Sequence, residues 1–339
     1  MMKDNARVSI VIPMRNEESH IGRCLDSVMD QDYPADRLEV KVVDGRSDDR
    51  SAAIVRRYAG RTPDVELLDN PGRITPVALN IGIRNSSGDI VIILGSHSFV
   101  EPDFVSRNIA ALSATGADCV GGKIETVSDT SMGRVISQAM SSTFGVGNSR
   151  FRTSLEPGFV GTVAFGAYRR EVFERIGIFD EELIRNQDDE FNFRLIKSGG
   201  TIFLDPSIRS SYFSRATLRG LWKQYFQYGW WKTMILRKHG RVPAPRNLAP
   251  AAALIVFGLS LVLAMVVPSL IWIAAIMLTA YLVISFVIAL RFVSVAGPFM
   301  LLLPFAYVTL HLSYAAGFIC GLPNLAAIKG KRECAKKKG

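Results

Sequence analysis

From Leu248 to Leu322 only Arg291 and His311 interrupt a nearly continuous apolar field. No soluble core can bury a run of that length, so this part of the chain is predicted to be membrane helix. Up to about Pro245 charged and apolar residues mix as they do in a soluble α/β protein. The 339 residues therefore divide into a soluble region 1–214, an amphipathic interfacial helix and linker 215–247, membrane helices 248–322, and a basic tail 323–339.

The formal net charge of +9 places its excess at both edges of the apolar field, around Arg215 to Arg246 and in the tail KGKRECAKKKG. Basic flanks beside apolar spans match the anionic cytoplasmic leaflet, so the expected partner is a lipid bilayer and not nucleic acid. Cys24, Cys119, Cys320 and Cys334 form no C-x-x-C pair, which argues against a disulfide framework and a zinc site. MMKDNARVSI runs directly into an apolar strand without a secretory h-region, so the soluble region is expected to stay in the cytoplasm, where nucleotide-activated substrates are found.

Within the soluble region, three apolar runs each stop at a polar cluster: VSIVIP at Arg15-Asn16-Glu17-Glu18, VKVVD at Gly45-Arg46-Ser47-Asp48, and IVIIL at Gly95-Ser96-His97-Ser98. β-branched runs separated by helical periodicity read as buried parallel strands, and such a sheet binds ligands at the carboxyl ends of its strands. Helical spacing at Ile21, Cys24, Leu25 and Val28 gives the first helix, and Asp48 is the expected N-cap of a second over Ala52 to Tyr58. A strand over Val65 to Leu68 and a helix over Val77 to Ile83 lead to the strand Ile90 to Leu94. A helix is expected from near Pro102 and a strand around Cys119 to Gly121, after which Gly145, Gly147, Gly158 and Gly161 suggest a looser, loop-rich half for a second substrate. A strand at Val163 to Tyr168, a helix at Arg170 to Ile176, and the acidic run Gln187-Asp188-Asp189-Glu190 opening another helix follow.

VSIVIPMRNEE, VVDGRSDD, Asn80 with Gly82, GFVGT at 158–162, NQDDEFNFRL at 186–195 and QYFQYGWW at 224–231, in this order, resemble a family 2 glycosyltransferase, inverting and of GT-A fold. Gly95-Ser96-His97-Ser98 is similar to the D-x-H variant of bacterial exopolysaccharide glycosyltransferases of the succinoglycan type. The resemblance implies a Rossmann-like GT-A domain over 1–214 followed by C-terminal transmembrane helices. It also implies a multi-pass protein of the bacterial inner (plasma) membrane with its catalytic domain in the cytoplasm.

Such an enzyme needs one general base and a means of holding the departing diphosphate. By resemblance the base is Asp188, with Asp189 the alternative; the other reading of this acidic run is helix capping. Pro13, Arg15, Glu17, Asp44, Arg73 and Ser96 are the expected nucleotide-sugar contacts, although Asp44 also suits an Asx turn and Arg73 a solvated surface. Arg46 adds a cation where the family prefers a small residue. Gly161 and Thr162, with Gln227 and Trp230, belong to the acceptor and donor side. Arg219, Lys223 and Lys232 interleaved with aromatic residues suit a helix in the headgroup layer, or alternatively a core helix of the soluble domain.

His97 stands at the family's second metal-binding position, and Gly95 replaces the first carboxylate. A single imidazole is a poor cage for Mg²⁺ and a better one for Mn²⁺. Two outcomes follow: a divalent cation held by His97 and the substrate's phosphates, or arginines stabilising the leaving group without metal. The expected partners are a nucleoside-diphosphate sugar, UDP first, and a polyprenyl-linked saccharide acceptor in exopolysaccharide or envelope glycan synthesis. The alternatives are transfer to polyprenyl phosphate itself, or a non-catalytic nucleotide-sugar-binding scaffold.

Leu248 to Val267, Ser269 to Leu290 and Met300 to Leu322 are each long enough to span a bilayer. Three crossings put the basic tail opposite the catalytic domain, against the charge rule. Pro304, His311 and Gly317 weaken the third, so two or three crossings with a cytoplasmic tail are expected.

Overall fold

A computed structural model describes residues 6–241 and 244–323; the predicted basic tail beyond position 323 lies outside them. The contacts define two compact units, one of Met1–Glu125 and Ser149–Phe213, the other of Thr126–Asn148 and Ser214–Gly339.

The first unit is an α/β domain. In chain order it contains β1 (Val8–Met14), α1 (Ile21–Met29), β2 (Leu38–Asp44), α2 (Ser51–Arg56), β3 (Asp64–Asp69), α3 (Thr75–Arg84), β4 (Ile90–Ile93), β5 (Ser98–Val100), α4 (Phe104–Thr115) and β6 (Cys119–Val127). The helices α5 (Ser131–Met140) and α6 (Thr143–Val146) belong to the second unit. The chain returns with α7 (Arg150–Thr153), β7 (Gly158–Phe159), β8 (Ala164–Arg169), α8 (Arg170–Ile176), α9 (Gln187–Lys197) and β9 (Ile202–Phe213).

The sheet runs β3-β2-β1-β4-β8-β6-β9-β5, with β7 on β9. β1 to β4 are parallel, and β8 joins β4 antiparallel. Met14 pairs with Asp44 and Asp44 with Asp69, so the first three strands end level on one edge. That alignment turns three separate polar clusters into one surface.

Each sheet face has its own core. Ile10, Ile12, Val40, Val42, Ile90 and Ile92 pack with Ile21, Cys24, Leu25 and Val28 of α1 on one face. Val11 and Val91 pack with Leu79 and Ile83 of α3 and with Phe191 and Leu195 of α9 on the other. α3 approaches so closely that a Cβ on Gly82 would clash with Val11 and lie 3.2 Å from Val43. This is the packing reason for glycine in mid-helix.

Two charged residues lie buried in β2. The Glu39 carboxylate accepts from Ser9 Oγ at 2.6 Å and Ser87 N at 2.6 Å, and faces Lys41 Nζ at 3.2 Å. Lys41 also reaches Glu66 of β3 at 2.7 Å. Burial opposes the charge on Glu39, but the hydrogen bonds from Ser9, Ser87 and Lys41 outweigh it and bring the carboxyl down to about 2.

The predicted start of α2 needs correction. The helix begins at Ser51 because Asp49, not Asp48, accepts the Ser51 amide at 2.9 Å, while the Asp48 amide donates to Asn16 Oδ1 at 2.8 Å. The stretch containing Gly145 and Gly147 also departs from the loop expectation. Thr130 and Ser142 cap short helices there, each accepting a backbone amide three residues on at 3.0 Å.

The second unit contains α5 and α6 with α10 (Leu218–His239), α11 (Ala249–Leu263), α12 (Ile271–Ala296) and α13 (Leu303–Gly321). Three stretches, Pro245–Leu263, Pro268–Ala296 and Pro298–Gly321, are long and apolar enough to cross a membrane. α11 and α12 leave large apolar side chains such as Val262, Ile276 and Val283 exposed, as lipid-facing helices do. α13 instead buries Tyr307, Leu310, Ala315 and Phe318.

Candidate active site

At the end of β1 the chain turns through Asn16 with φ 55°, at the end of β2 through Arg46 with φ 54°, and after β3 through Arg73 with φ 56°. Two more non-glycine residues have positive φ, Phe165 at 49° and Asn186 at 58°. Phe165 is the second residue of β8, against Gly95 after the end of β4, and Asn186 immediately precedes α9. All five such residues in the described chain thus border the predicted site. Left-handed backbone at non-glycine positions costs energy and persists where surrounding contacts enforce it, characteristically at ligand sites.

Those contacts are visible. Asn16 donates its amide to Ser47 Oγ at 2.9 Å, and Gly45 N donates to Met14 O at 2.8 Å, joining the ends of β1 and β2. Asp44 Oδ1 accepts from Ser47 N at 3.1 Å and Ser47 Oγ at 2.6 Å, the predicted Asx turn. This turn holds the carboxylate rigidly and leaves Asp44 Oδ2 without a partner among the described residues. Asn70 N donates to Asp44 O at 2.8 Å, which fixes the turn leading to Arg73.

Arg15 and Arg73 are exposed at this edge with no ion pair among the described residues. Arg46 is committed elsewhere. Its guanidinium meets Asp69 at 3.0 and 3.1 Å, and that pairing holds the Asp69 carboxyl below its usual range. The extra cation read from the sequence is therefore already neutralised.

After β4, Ser96 is buried and Gly95 and His97 are half-buried. His97 Nδ1 lies 3.2 Å from Glu17 Oε1, so Glu17, predicted as a nucleotide contact, is engaged with the imidazole. The ring stands edge-on to Tyr212 at 4.9 Å, and Phe213 N donates to His97 O at 3.1 Å. A Cβ on Gly95 would lie 3.2 Å from Phe165 Cε1. Phe165 thus crowds the direction a carboxylate at position 95 would take.

α9 is tied to the same edge from the other side. Tyr168 OH donates to Asn192 Oδ1 at 2.8 Å, and Asn192 Nδ2 donates to Thr162 Oγ1 at 2.8 Å. Asp188 lies one turn before Asn192 on the same helix face. Burial raises the Tyr168 phenol well above its ordinary value, and the Asp188 carboxylate raises it further. Asp188 is exposed and Asp189 half-buried in the first turn of α9. Asn80 sets the approach, donating to Phe179 O at 2.9 Å and accepting Phe179 N at 2.9 Å.

The ends of β1 to β4 thus carry Pro13, Arg15, Glu17, Asp44, Arg73, Ser96 and His97, while Gly161 and Thr162 precede β8, with Thr162 held by Asn192 of α9. Gln227 and Trp230 lie on α10 in the second unit. Sequence reasoning missed Tyr168, Asn192 and Tyr212, which act through packing that no local pattern announces. Among the described residues no three His, Cys, Asp or Glu side chains converge into a metal cage. His97 and Glu17 are two adjacent donors, a set that fits a divalent cation only when diphosphate oxygens complete it.

Residues 9–177 match the family model described as Glycosyl transferase family 2. The chain is 34% identical over 239 residues to a dolichyl N-acetyl-alpha-D-glucosaminyl phosphate 3-beta-D-2,3-diacetamido-2,3-dideoxy-beta-D-glucuronosyltransferase of Methanococcus voltae, covering 68% of this chain and 74% of that one. It is 32% identical to the succinoglycan biosynthesis protein ExoA of Rhizobium meliloti (strain 1021), covering 91% and 93% of the two chains. The mannosyltransferase PcManGT of Pyrobaculum calidifontis, solved with GDP-Man and Mn²⁺, shares the fold at TM-score 0.59 and 20% identity, covering 94% of this chain and 87% of that one. With a GT-A-like α/β domain, a strained sheet edge and relatives of this similarity, the chain belongs to glycosyl transferase family 2 and is a transferase enzyme.

Proposed function

We propose that this glycosyltransferase moves a sugar, with inversion, from a nucleoside-diphosphate donor to a saccharide carried on a polyprenyl lipid at the cytoplasmic face of a membrane. The observation that carries the reading is the concentration of enforced left-handed backbone at the strand ends and before α9. The names of the two relatives, one acting on a dolichyl-linked sugar and one in succinoglycan biosynthesis, support the acceptor class.

In this reading Asp44 Oδ2 accepts from the base or ribose, and Arg15 and Arg73 face the diphosphate. Asp188 takes the proton of the acceptor hydroxyl as that oxygen bonds to the anomeric carbon. The glycosidic C–O pair leaves with the nucleoside diphosphate. Asn192 and Tyr168 hold α9 so that Asp188 keeps its place, and the high phenol pKa keeps Tyr168 a donor throughout. His97 and Glu17 would hold a divalent cation together with the diphosphate oxygens, and the cation would supply charge neutralisation as the diphosphate departs.

The test uses membranes containing the full chain, a panel of labelled nucleotide sugars beginning with UDP-sugars, and lipid extraction with and without chelator. Label should enter the lipid fraction from one donor and only when the lipid already bears a sugar. Transfer to bare polyprenyl phosphate overturns the acceptor assignment, and transfer from no donor overturns the reading.

A further inference from the structure

Three helices are apolar enough to cross a membrane, but α13 differs from α11 and α12 in packing on the charged helix α10 and on α5 and α6. Its first half packs on α5 and α6. Tyr307 OH donates to Ser142 Oγ at 2.9 Å, and His311 Nε2 lies 3.1 Å from Gly145 O. Its second half packs on α10. A Cβ on Gly317 would clash with the Phe226 backbone, one on Gly229 with Tyr314 O, and one on Gly321 would lie 3.2 Å from Thr233 Cβ. α13 thus packs along its length on α5, α6 and α10, segments whose sequences are those of a soluble protein, and it also meets α12, where Tyr281 OH lies 2.8 Å from His311 Nδ1.

α10 carries Arg219, Lys223, Lys232, Arg237 and Lys238, spread along its length. A helix so charged does not enter hydrocarbon. The order of contacts adds a topological constraint. Phe226 meets Gly317, and two turns later Thr233 meets Gly321, so the two helices run in the same direction. If α10 crossed outward with α13 beside it, α11 would start on the far side, α12 on the near side and α13 on the far side again. α13 would then be antiparallel to α10, contrary to the contacts. If α10 stayed in the headgroups while α13 crossed, the last two turns of α13 would lie at the far leaflet, out of reach of α10.

We propose that α13 does not cross the bilayer. With α5, α6 and α10 it forms a platform lying in the plane of an anionic leaflet, and α11 with α12 forms a two-helix hairpin that anchors it. The exposed Phe305 and Leu312 of α13 dip into the acyl boundary. The exposed Trp222 with the neighbouring Arg219 and Lys223 of α10 sits among the headgroups, where aromatic and cationic side chains are favoured. The even number of crossings returns the chain to the side on which it entered and removes the conflict between three apolar segments and a basic carboxyl terminus.

This inference uses the cytoplasmic orientation of the proposed function only to name the leaflet. The test places topology reporters, fluorescent only in the cytoplasm or enzymatically active only outside it, at the amino terminus, within the α11–α12 turn at Met265, and after Gly339 of the full chain. The two termini should report one side and position 265 the other. Termini on opposite sides, or all three positions on one side, overturn the inference. Both termini outside with 265 inside would keep the platform and instead overturn the cytoplasmic catalytic domain. A second measurement, nitroxide depth at positions 305, 309 and 312, should give uniformly shallow values, whereas a mid-helix maximum like that expected at 276, 283 and 290 of α12 overturns it.

Discussion

Asn192 is the joint between the catalytic helix and the sheet, and replacing it with leucine tests that role quantitatively. Asn192 is 0% and Tyr168 2% exposed, so neither polar group gains water when its partner is removed. N192L deletes two hydrogen bonds of 2.8 Å, to Tyr168 OH and Thr162 Oγ1. Each is worth about 1 kcal/mol net, and the stranded phenol adds about 1–3 kcal/mol, for a total of roughly 3–5 kcal/mol. Y168F alone strands only Asn192 Oδ1 and should cost about 1–2 kcal/mol. The double variant Y168F/N192L no longer strands the phenol, so it should be at least 1 kcal/mol more stable than the sum of the single changes requires. Urea or thermal unfolding in detergent reads the stabilities, and sugar transfer under conditions where each variant is folded reads the function. Transfer should fall in N192L with donor binding retained, because the loss is in the position of Asp188. Additive stabilities within 0.5 kcal/mol, or full transfer in N192L, would refute the reasoning.

Glu39 gives an acid limit. Its carboxyl is held at about 2 against an ordinary 4.5, so it stabilises the fold fully above pH 4.5 and loses that contribution as pH falls toward 2. The whole effect is at most about 3 kcal/mol, and E39Q should flatten the stability profile across this window in acid unfolding experiments. G82V drives a branched side chain into Val11 and Val43 and should destabilise the first unit by about 2–3 kcal/mol in the same unfolding assay. Burial pushes the Cys24 thiol up to about 12 and the Cys119 thiol higher than its ordinary range, so neither should react with maleimide at pH 8 until the chain is unfolded. Mass spectrometry of the labelled protein checks this, and modification of Cys24 in the folded chain would contradict it.

The strand ends were legible because β-branched runs and polar stops are local features, and β1, β2 and β4 lie where those runs predicted them. The helix face of Ile21, Cys24, Leu25 and Val28 was legible for the same reason. β9 was not, because Asp205, Pro206 and Ser207 break its alternation, and its pairing depends on partners about a hundred residues away. The Glu17 and His97 contact was also hidden, since it joins residues eighty positions apart. Arg46 read as a free cation because its partner Asp69 sits on another strand. The affinity of α5 and α6 for the C-terminal helices was invisible in a stretch whose glycines signal only loops. Local periodicity predicts elements, while the pairing of distant polar groups decides what the site looks like.

Asp188 carries the central claim, and D188N tests it most directly. The substitution keeps the size of the side chain and removes only its basicity. With the full chain in membranes, D188N should bind the nucleotide-sugar donor as the unmodified chain does and lose transfer to the lipid fraction by about 10²–10⁴-fold. Transfer by D188N at the rate of the unmodified chain would contradict the account.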